Sequence, residues 1–329
     1  MSNDVCNRTM TDSPKTPLII LLLTFACALE YSYSFVQHEC TVSNGKGACH
    51  RKVALKMTRN GNNDGKRIVL IRHGCTHMNE YLSKPGTRWG EPTFEDDWRF
   101  RDTTLSPLGM KQAKQLYENF SPNPNGRDEL HTLLTQEVDL VVVSPLKRAL
   151  QTLEIGLYSH FKHIPKKTPI IATPYASERV YMCSEIGSHV QELRQTYPFV
   201  DFQSGFHPIN HPPHEWWWTP MLDEAPEWRP YGQGQKYVNV GEPEHAFHSR
   251  MQKLYDWLHS RQEQTIVLVC HWGVLEYLTG HDFHNCEVKI MQFSQLQRGG
   301  SGLTTEEMDS IFIKGERSVI QEQQKSLLQ

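Results

Sequence analysis

The sequence predicts a three-layer α/β/α fold, built on a doubly wound and mostly parallel sheet with a cap insertion. Four short, continuous apolar runs are typical of strands that are buried on both faces. Helical patterns lie between the runs, and this alternation is typical of a parallel sheet covered by helices. The four runs are Arg67–Ile71, Val138–Val143, Pro169–Thr173 and Thr265–Cys270.

The predicted helices have recognisable starts and apolar faces. Ser106 can cap a helix that begins at Pro107, and Ser144 with Pro145 gives the same signal for a second helix. A third helical pattern precedes the last strand. The inward faces of the three helices are formed by Ala113, Leu116, Tyr117 and Phe120; by Leu146, Ala149, Leu150 and Leu153; and by Phe247, Met251, Leu254 and Leu258.

The composition is that of an ordinary soluble globular protein. Of the 329 residues, 22% are charged and 38% are hydrophobic, and the formal net charge is -3. So small a net charge provides no field that would hold nucleic acid or an anionic membrane surface. We therefore expect no nucleic-acid partner, and a small ligand bound by a few placed side chains.

Residues 1–66 are predicted to be a leader followed by a linker. The apolar run Leu18–Leu29 is well short of the roughly 20 residues that cross a bilayer, and it resembles the central part of a signal peptide. Phe35 and a basic stretch follow the run, which is similar to the two-part plastid leaders of algae. We expect a plastid or secretory route, with the cytoplasm as the alternative, and no integral membrane span in the mature protein.

Residues 67–300 are predicted to form the main domain, and 301–329 a polar tail. An insertion at about 204–238 interrupts the domain, and its Trp216–Trp218 triplet is expected to pack as part of a cap. Three histidines in the insertion have spacings that a metal could use, but prolines separate them and no cysteine joins them, so we expect no metal site. They are His207, His211 and His214.

Side chains suited to chemistry follow each predicted strand. Arg72 and His73 follow the first strand, Arg148 lies in the first turn of the helix after the second, Glu178 follows the third and His271 follows the fourth. In open α/β sheets, ligands bind beyond the carboxyl ends of the strands. The sequence therefore predicts that these five side chains form one site.

These residue types suit phosphoryl transfer. Arginine presents a planar fork of donors that grips phosphate oxygens and stays charged. A neutral imidazole can attack phosphorus, which divides hydrolysis into two easier steps. A carboxylic acid near the leaving oxygen can protonate it.

The motifs around these residues resemble those of the histidine phosphatase superfamily, which includes the cofactor-dependent phosphoglycerate mutases. The segment IRHGCTHMN keeps most of the family's first motif, although Cys75 stands where the family usually has Glu. DTTLSPLGMKQA, SPLKRALQT and VCHWG are similar to three further motifs, and YASERVYMCSEIG and NCEV are similar to plant and fungal mutase-like phosphatases. The resemblance covers roughly Arg67 to Met291.

The resemblance implies a role for each site residue. His73 would be the nucleophile, and Glu178 would be the proton donor, with Glu185 as the alternative acid. The side chains that would bind the phosphate are Arg72, Asn79, Arg148 and His271. Cys75 and Cys270, which lie within two residues of the histidines, are interpreted as packing residues, with a redox switch as the alternative.

The expected activity is metal-independent hydrolysis of a small phosphomonoester through a phosphohistidine, without a cofactor. One alternative is a phosphoglycerate mutase that uses 2,3-bisphosphoglycerate. Glu178, Arg179 and Tyr181 match part of the mutase pattern ERHYG, but Met182 replaces its glycine. The other alternative is a non-catalytic domain that binds a phosphorylated ligand. The sequence does not indicate the oligomeric state.

Overall fold

The fold is seen in a computed structural model, which describes residues 65–87, 94, 97–122, 129–162, 167–206, 217, 242–300 and 302. The predicted leader with its apolar run, most of the cap insertion with its three histidines, and nearly all of the polar tail lie outside the described residues. Among the helices that are described, none is both long enough and apolar enough to cross a bilayer.

The described strands form one sheet. They are β1 (Arg67–Arg72), β2 (Leu140–Val143), β3 (Ile170–Ala172), β4 (Thr265–Cys270) and β5 (Val288–Gln292). Their spatial order is β3-β2-β4-β1-β5. β1 to β4 are parallel, and β5 pairs antiparallel with β1 at the edge. The carboxyl ends of β2, β4 and β1 are therefore neighbours.

Eight α-helices lie within the described ranges. They are α1 (His77–Leu82), α2 (Pro107–Asn119), α3 (Glu129–Thr132), α4 (Lys147–Leu153), α5 (Ser159–Lys162), α6 (Val190–Thr196), α7 (Glu244–Ser260) and α8 (Trp272–Thr279). Single π-helical turns precede β2 and follow α4, over Leu133–Glu137 and Glu154–Tyr158.

Helices cover both faces of the sheet, as the sequence predicts. Successive side chains of a strand point to opposite faces, so each strand contributes to two apolar cores. Val69 and Val267 pack in the core that contains Leu116 and Phe120 and the apolar face of α4, whereas Tyr117, which was predicted to face inward, is 40% exposed. Ile68 and Leu268 pack in the other core, with α7 and α8. Each such side chain contributes about 1.5–3 kcal/mol when fully buried.

The structure corrects the start of the second predicted helix. The helix begins at Lys147, not at Ser144 and Pro145, and Leu146 is its N-cap residue. Ser144 instead accepts the Leu146 N–H with its side-chain oxygen at 3.3 Å, which forms a turn before the helix. The predicted start of α2 is confirmed, because the Ser106 hydroxyl accepts the N–H of Gly109.

β5 was not predicted from the sequence. Its residues, VKIMQ, are only partly buried, and Lys289 interrupts the apolar pattern. An edge strand such as this needs no continuous apolar run, because it is not covered on both faces.

Candidate active site

His73 lies directly beyond β1 and is 4% exposed. Its Nδ1 lies 2.8 Å from the carbonyl oxygen of Gly74. A carbonyl only accepts, so the ring carries its proton on Nδ1 and presents a lone pair at Nε2. Burial, and then the positive charges of Arg148 and Arg72, hold the pKa of His73 well below its ordinary value. The imidazole is therefore neutral at neutral pH.

His271 occupies the equivalent position beyond β4 and is fully buried. Its ring centroid lies 5.1 Å from that of His73. Nε2 of His271 lies 2.7 Å from Ser144 Oγ, and the Nε of Arg148 donates to Nδ1 at 3.3 Å. Burial and the charge of Arg148 hold the pKa of His271 well below its ordinary value.

Arg148 lies in the first turn of α4 and is 3% exposed. Its Nη1 donates to the carbonyl oxygen of Ser184 at 2.7 Å, and its Nη2 lies 3.3 Å from Oε1 of Glu185. The guanidinium is thus held between β4 and the segment that carries Glu185.

Asp102 ties the start of α4 to that segment. One carboxylate oxygen accepts the backbone N–H of Lys147 at 2.9 Å, and the other accepts that of Ser188 at 2.9 Å. Asp102 has a φ of 42°, in the left-handed region that disfavours most side chains. Both carboxylate bonds form across a sequence separation of 45 residues or more, so the geometry depends on the tertiary fold.

Arg72, the last residue of β1, is held by the loop before β5. Its Nη1 donates to the carbonyl oxygen of Phe283 at 2.7 Å. In the same loop, the side-chain amide of Asn285 donates to the carbonyl oxygen of His73 at 3.0 Å, and the N–H of Cys286 donates to that of Arg72 at 3.0 Å. The loop thereby fixes the backbone of Arg72, the last residue of β1, and of His73, which follows it.

Glu178 lies on the segment after β3 and is half-buried. Its Oε2 accepts the N–H of Gly273 at 3.2 Å, in the first turn of α8, and its Oε1 accepts the N–H of Arg179 at 3.0 Å. Glycine at 273 leaves room for this contact, because a Cβ there would lie 2.5 Å from Oε1 of Glu178 and the carboxyl group would have to shift. The carboxyl group is therefore anchored two residues beyond His271.

Glu185 is buried, with an exposed fraction of 4%. Its Oε2 accepts the N–H of Met182 at 2.9 Å, and its Oε1 accepts from the Ser184 hydroxyl at 2.5 Å and faces Arg148. Burial raises the pKa of Glu185 to about 7, although Arg148 and these hydrogen bonds oppose the shift. The group therefore changes charge near neutral pH.

Asn79 lies on α1 close to the first motif. Its Oδ1 accepts the N–H of Thr76 at 3.0 Å, while its own N–H donates to Thr76 Oγ1 at 3.0 Å. This reciprocal pair is a capping box at the start of α1. The carbonyl half of the amide is therefore structural, and a role of Asn79 in binding phosphate stays a prediction.

The loop after His73 packs tightly on α2. A Cβ on Gly109 would lie 1.9 Å from the carbonyl oxygen of Cys75, so only glycine fits there. Cys75 and Cys270 are both fully buried, which agrees with their interpretation as packing residues. Burial also raises the pKa of the Cys270 thiol well above its ordinary value, and a thiol held protonated is a poor nucleophile.

The structure brings both histidines, both arginines and both candidate acids to the carboxyl edge of the sheet. The site is lined by fixed positive charge and two neutral imidazoles, a combination that suits the binding of an anion and its attack by nitrogen. Within the described part of the chain, no group of three or more His, Cys, Asp or Glu side chains is placed to hold a metal ion.

Sequence reasoning missed several residues that shape the site. Ser144 was interpreted as a helix cap, whereas it contacts His271. Asp102 and Asn285 lie in segments whose resemblance was noted, DTTLSPLG and NCEV, but their partners are distant in sequence. Glu242 and Arg250 form a buried ion pair that was also missed. Its one signal in the sequence was Arg250, a charged residue inside the apolar stripe of α7.

Two arginines and two histidines are buried at the carboxyl edge of this α/β sheet, an arrangement suited to an anionic ligand. Comparison of the chain with models of protein families identifies the class of protein. The chain belongs to the histidine phosphatase superfamily (branch 1), whose family model matches residues 68–298. The resemblance predicted from the motifs is confirmed.

Two curated relatives match part of the chain. A probable phosphatase of Schizosaccharomyces pombe is 29% identical over 139 residues, which is 42% of this chain and 52% of the relative. Phosphomutase-like protein 3 of Candida albicans is 29% identical over 119 residues, 36% of this chain and 33% of the relative. The chain thus matches about half or less of the length of each.

Among solved structures, the α-ribazole phosphatase of Shigella flexneri is 22% identical. The alignment covers 64% of this chain and 77% of that protein, with a TM-score of 0.34.

Proposed function

We propose that the protein is a phosphatase that hydrolyses a small phosphomonoester through a phosphohistidine on His73. The observation that carries the proposal is the state of His73, a neutral imidazole whose proton is held on Nδ1 by Gly74. Such a ring offers the Nε2 lone pair as a nucleophile, next to two arginines that can hold the phosphate. Family membership and the phosphatase relative support the same class of reaction.

In the first step, Nε2 of His73 attacks phosphorus, a P–N bond forms and the P–O bond to the alcohol breaks. Arg72 and Arg148 stabilise the charge on the transferring oxygens, and His271, which is fixed by Ser144 and whose ring centroid lies 5.1 Å from that of His73, is proposed to contact the same phosphoryl group. Glu178 gives its proton to the leaving oxygen. General acid catalysis of this kind is typically worth about 10²–10⁴ in rate.

In the second step, the Glu178 carboxylate takes a proton from water, whose oxygen attacks phosphorus as the P–N bond breaks. The products are inorganic phosphate and free His73, and Glu178 regains its proton. We prefer Glu178 to Glu185 as the acid, because Glu185 is buried against Arg148, whereas Glu178 is half-buried and its carboxyl group lies at the first turn of α8, two residues beyond His271. The reaction needs no metal or cofactor in this proposal.

Trapping of the phosphoenzyme tests the proposal. The full-length protein is mixed with ³²P-labelled phosphomonoesters, quenched in base and in acid, and analysed for protein-bound label. We expect a label that is stable in base and labile in acid, which is absent from His73→Ala. His259→Ala is the matched control, because His259 is exposed at the end of α7 that faces away from the site, and it should label normally. Equal labelling of His73→Ala would overturn the proposal.

Mutase activity is tested with the same protein. The partial ERHYG match and the phosphomutase-like relative favour including this test. Conversion of 3-phosphoglycerate to 2-phosphoglycerate, dependent on added 2,3-bisphosphoglycerate and faster than phosphate release, would identify a mutase. A non-catalytic binding domain would show neither conversion nor labelling.

A further inference from the structure

A buried ion pair lies behind the proposed acid, outside the residues that would touch substrate. Arg250 on α7 is 1% exposed and Glu242 is 2% exposed. Nε of Arg250 donates to one carboxylate oxygen of Glu242 at 2.9 Å, and Nη2 donates to the other at 2.7 Å. Replacing such a buried pair with apolar residues is often neutral or stabilising, so its presence calls for a role besides stability.

The remaining donors of Arg250 hold the backbone that leads to Glu178. Nη1 donates to the carbonyl oxygens of Tyr175 at 3.0 Å and Ser177 at 2.7 Å, and Nη2 lies 3.4 Å from that of Glu178. A single planar group thus spans the short 3-10 turn after β3 (Pro174–Ala176) and the residue that carries the acid.

Glu242 holds the backbone on the other side of Glu178. Its N–H donates to the carbonyl oxygen of Val180 at 2.6 Å, and its Oε2 lies 3.3 Å from the N–H of Val180. Its carbonyl oxygen accepts from Nε of Arg179 at 2.9 Å. The segment is therefore fixed at Tyr175–Ser177 and again at Arg179–Val180.

The carboxyl group of Glu178 is not a member of this network. Its two oxygens contact Gly273 and Arg179 through their backbone N–H groups. The ion pair thus acts on the backbone of Glu178 and leaves the carboxyl end directed to the first turn of α8. Rate in such a site depends on placing the proton donor to within a fraction of an ångström.

We infer that Arg250 and Glu242 are positioning residues for proton donation by Glu178. This inference rests on the proposed function. Loss of the pair would let the segment shift, so that the acid no longer meets the leaving oxygen, while His73 and the phosphate ligands keep their places. The defect should then depend on how much the leaving group needs a proton.

The test is the rate of phosphoenzyme formation in a single turnover, with two esters. Ethyl phosphate has a leaving group that must be protonated, and 2,4-dinitrophenyl phosphate has one that leaves without a proton. For Arg250→Met we expect a loss of about 10²-fold with the ethyl ester, as general acid catalysis predicts, and less than about threefold with the dinitrophenyl ester. Arg250→Lys, which keeps the charge but not the fork, should lose less.

Two further variants separate positioning from a structural role. Glu178→Gln should show the same selective loss, and Arg250→Met added to it should cause no further loss, since both act on one step. Arg298→Met removes an exposed pair with Asp256 and should leave both rates unchanged. An equal loss with the two esters, or additive losses in the double variant, would overturn the inference.

The proposed function can fail separately. If wild-type protein forms no phosphoenzyme with either ester, or if His73→Ala still forms it, the phosphatase proposal is wrong. If Glu178→Gln loses both rates equally while His73 is still labelled, only the assignment of the acid is wrong, and the positioning inference falls with it. Should Arg250→Met not fold, Arg250→Lys and Glu242→Gln give the same comparison between esters.

Discussion

The Nε of Arg148 lies 3.3 Å from Nδ1 of His271, across a sequence separation of 123 residues. The guanidinium can only donate, so Nδ1 accepts and the ring proton lies on Nε2. Nε2 then donates to Ser144 at the end of β2. One contact between an arginine and a histidine thus fixes the tautomer of His271 and connects the carboxyl ends of β2 and β4.

Removal of the Ser144 hydroxyl should impair catalysis more than folding. Ser144→Ala leaves Nε2 of His271 without its 2.7 Å partner, so His271 is no longer held in place. A loss of transition-state stabilisation of about the size of one hydrogen bond, about 0.5–1.5 kcal/mol, corresponds to a fall in kcat of about 2–12-fold. Ser106→Ala is the matched control. It should lower the free energy of unfolding by about 1 kcal/mol through loss of the α2 cap and leave kcat unchanged. Steady-state kinetics and thermal melts of both variants check this, and an unchanged kcat for Ser144→Ala would contradict it.

Gly109→Ala should destabilise the fold, although alanine is the better helix former by about 1 kcal/mol. The new Cβ would lie 1.9 Å from the carbonyl oxygen of Cys75, a backbone atom of the loop after His73. Overpacking of this kind costs about 1–3 kcal/mol. Gly299→Ala, which meets nothing within 4 Å, is the control and should melt like the wild type. A Gly109→Ala melting temperature at or above that of the wild type would show that the loop can move aside.

Trp217 should be an anchor for the predicted cap insertion. It is 1% exposed, its indole N–H donates to the carbonyl oxygen of Ser188 at 2.7 Å, and its ring lies against Gly187. Trp217→Ala should lower the free energy of unfolding by about 3–5 kcal/mol and change the ranking of substrates by kcat/KM, because Trp217 belongs to the insertion and packs on the segment that carries Glu185. Trp257→Ala, at a half-buried tryptophan on α7, is the comparison and should leave the ranking unchanged. If Trp217→Ala folds and ranks the substrates as the wild type does, the insertion does not determine substrate choice.

Patterns within short stretches of sequence predicted the four parallel strands and the site residues that follow them. The apolar runs identified β1 to β4, and residues that directly follow those strands, such as His73 and His271, were found because strand ends converge in a parallel sheet. β5 was missed because an edge strand has no such pattern. Ser144 and Asn285 were missed because His271 and His73, which they contact, lie 127 and 212 residues away in sequence. Arg250 was missed because the backbone that it holds lies 72 to 75 residues away, where periodicity gives no information.

Glu185 should make the binding of phosphate depend on pH beyond the ionisation of phosphate itself. Burial raises the pKa of Glu185 to about 7, so the carboxyl group is mostly neutral at pH 6 and ionised at pH 8. The ionised form competes with phosphate for Arg148, 3.3 Å away, and repels the dianion. Bound phosphate should favour the protonated form, and affinity should fall as pH rises through 7.

Inhibition by inorganic phosphate, measured from pH 6 to 8, checks this prediction. The inhibition constant of wild type is divided by that of Glu185→Gln at each pH. The titration of phosphate is the same for both proteins and cancels, and because glutamine stays neutral, the pH dependence that remains comes from Glu185. The ratio should rise by up to about tenfold per pH unit above 7, the limit for linkage to one proton. Glu192→Gln, at an exposed glutamate paired with Lys147, is the control and should give a ratio that does not vary with pH. A flat ratio for Glu185→Gln would mean that this carboxyl group keeps one charge state throughout, and that Arg148 is equally available to phosphate at both ends of the range.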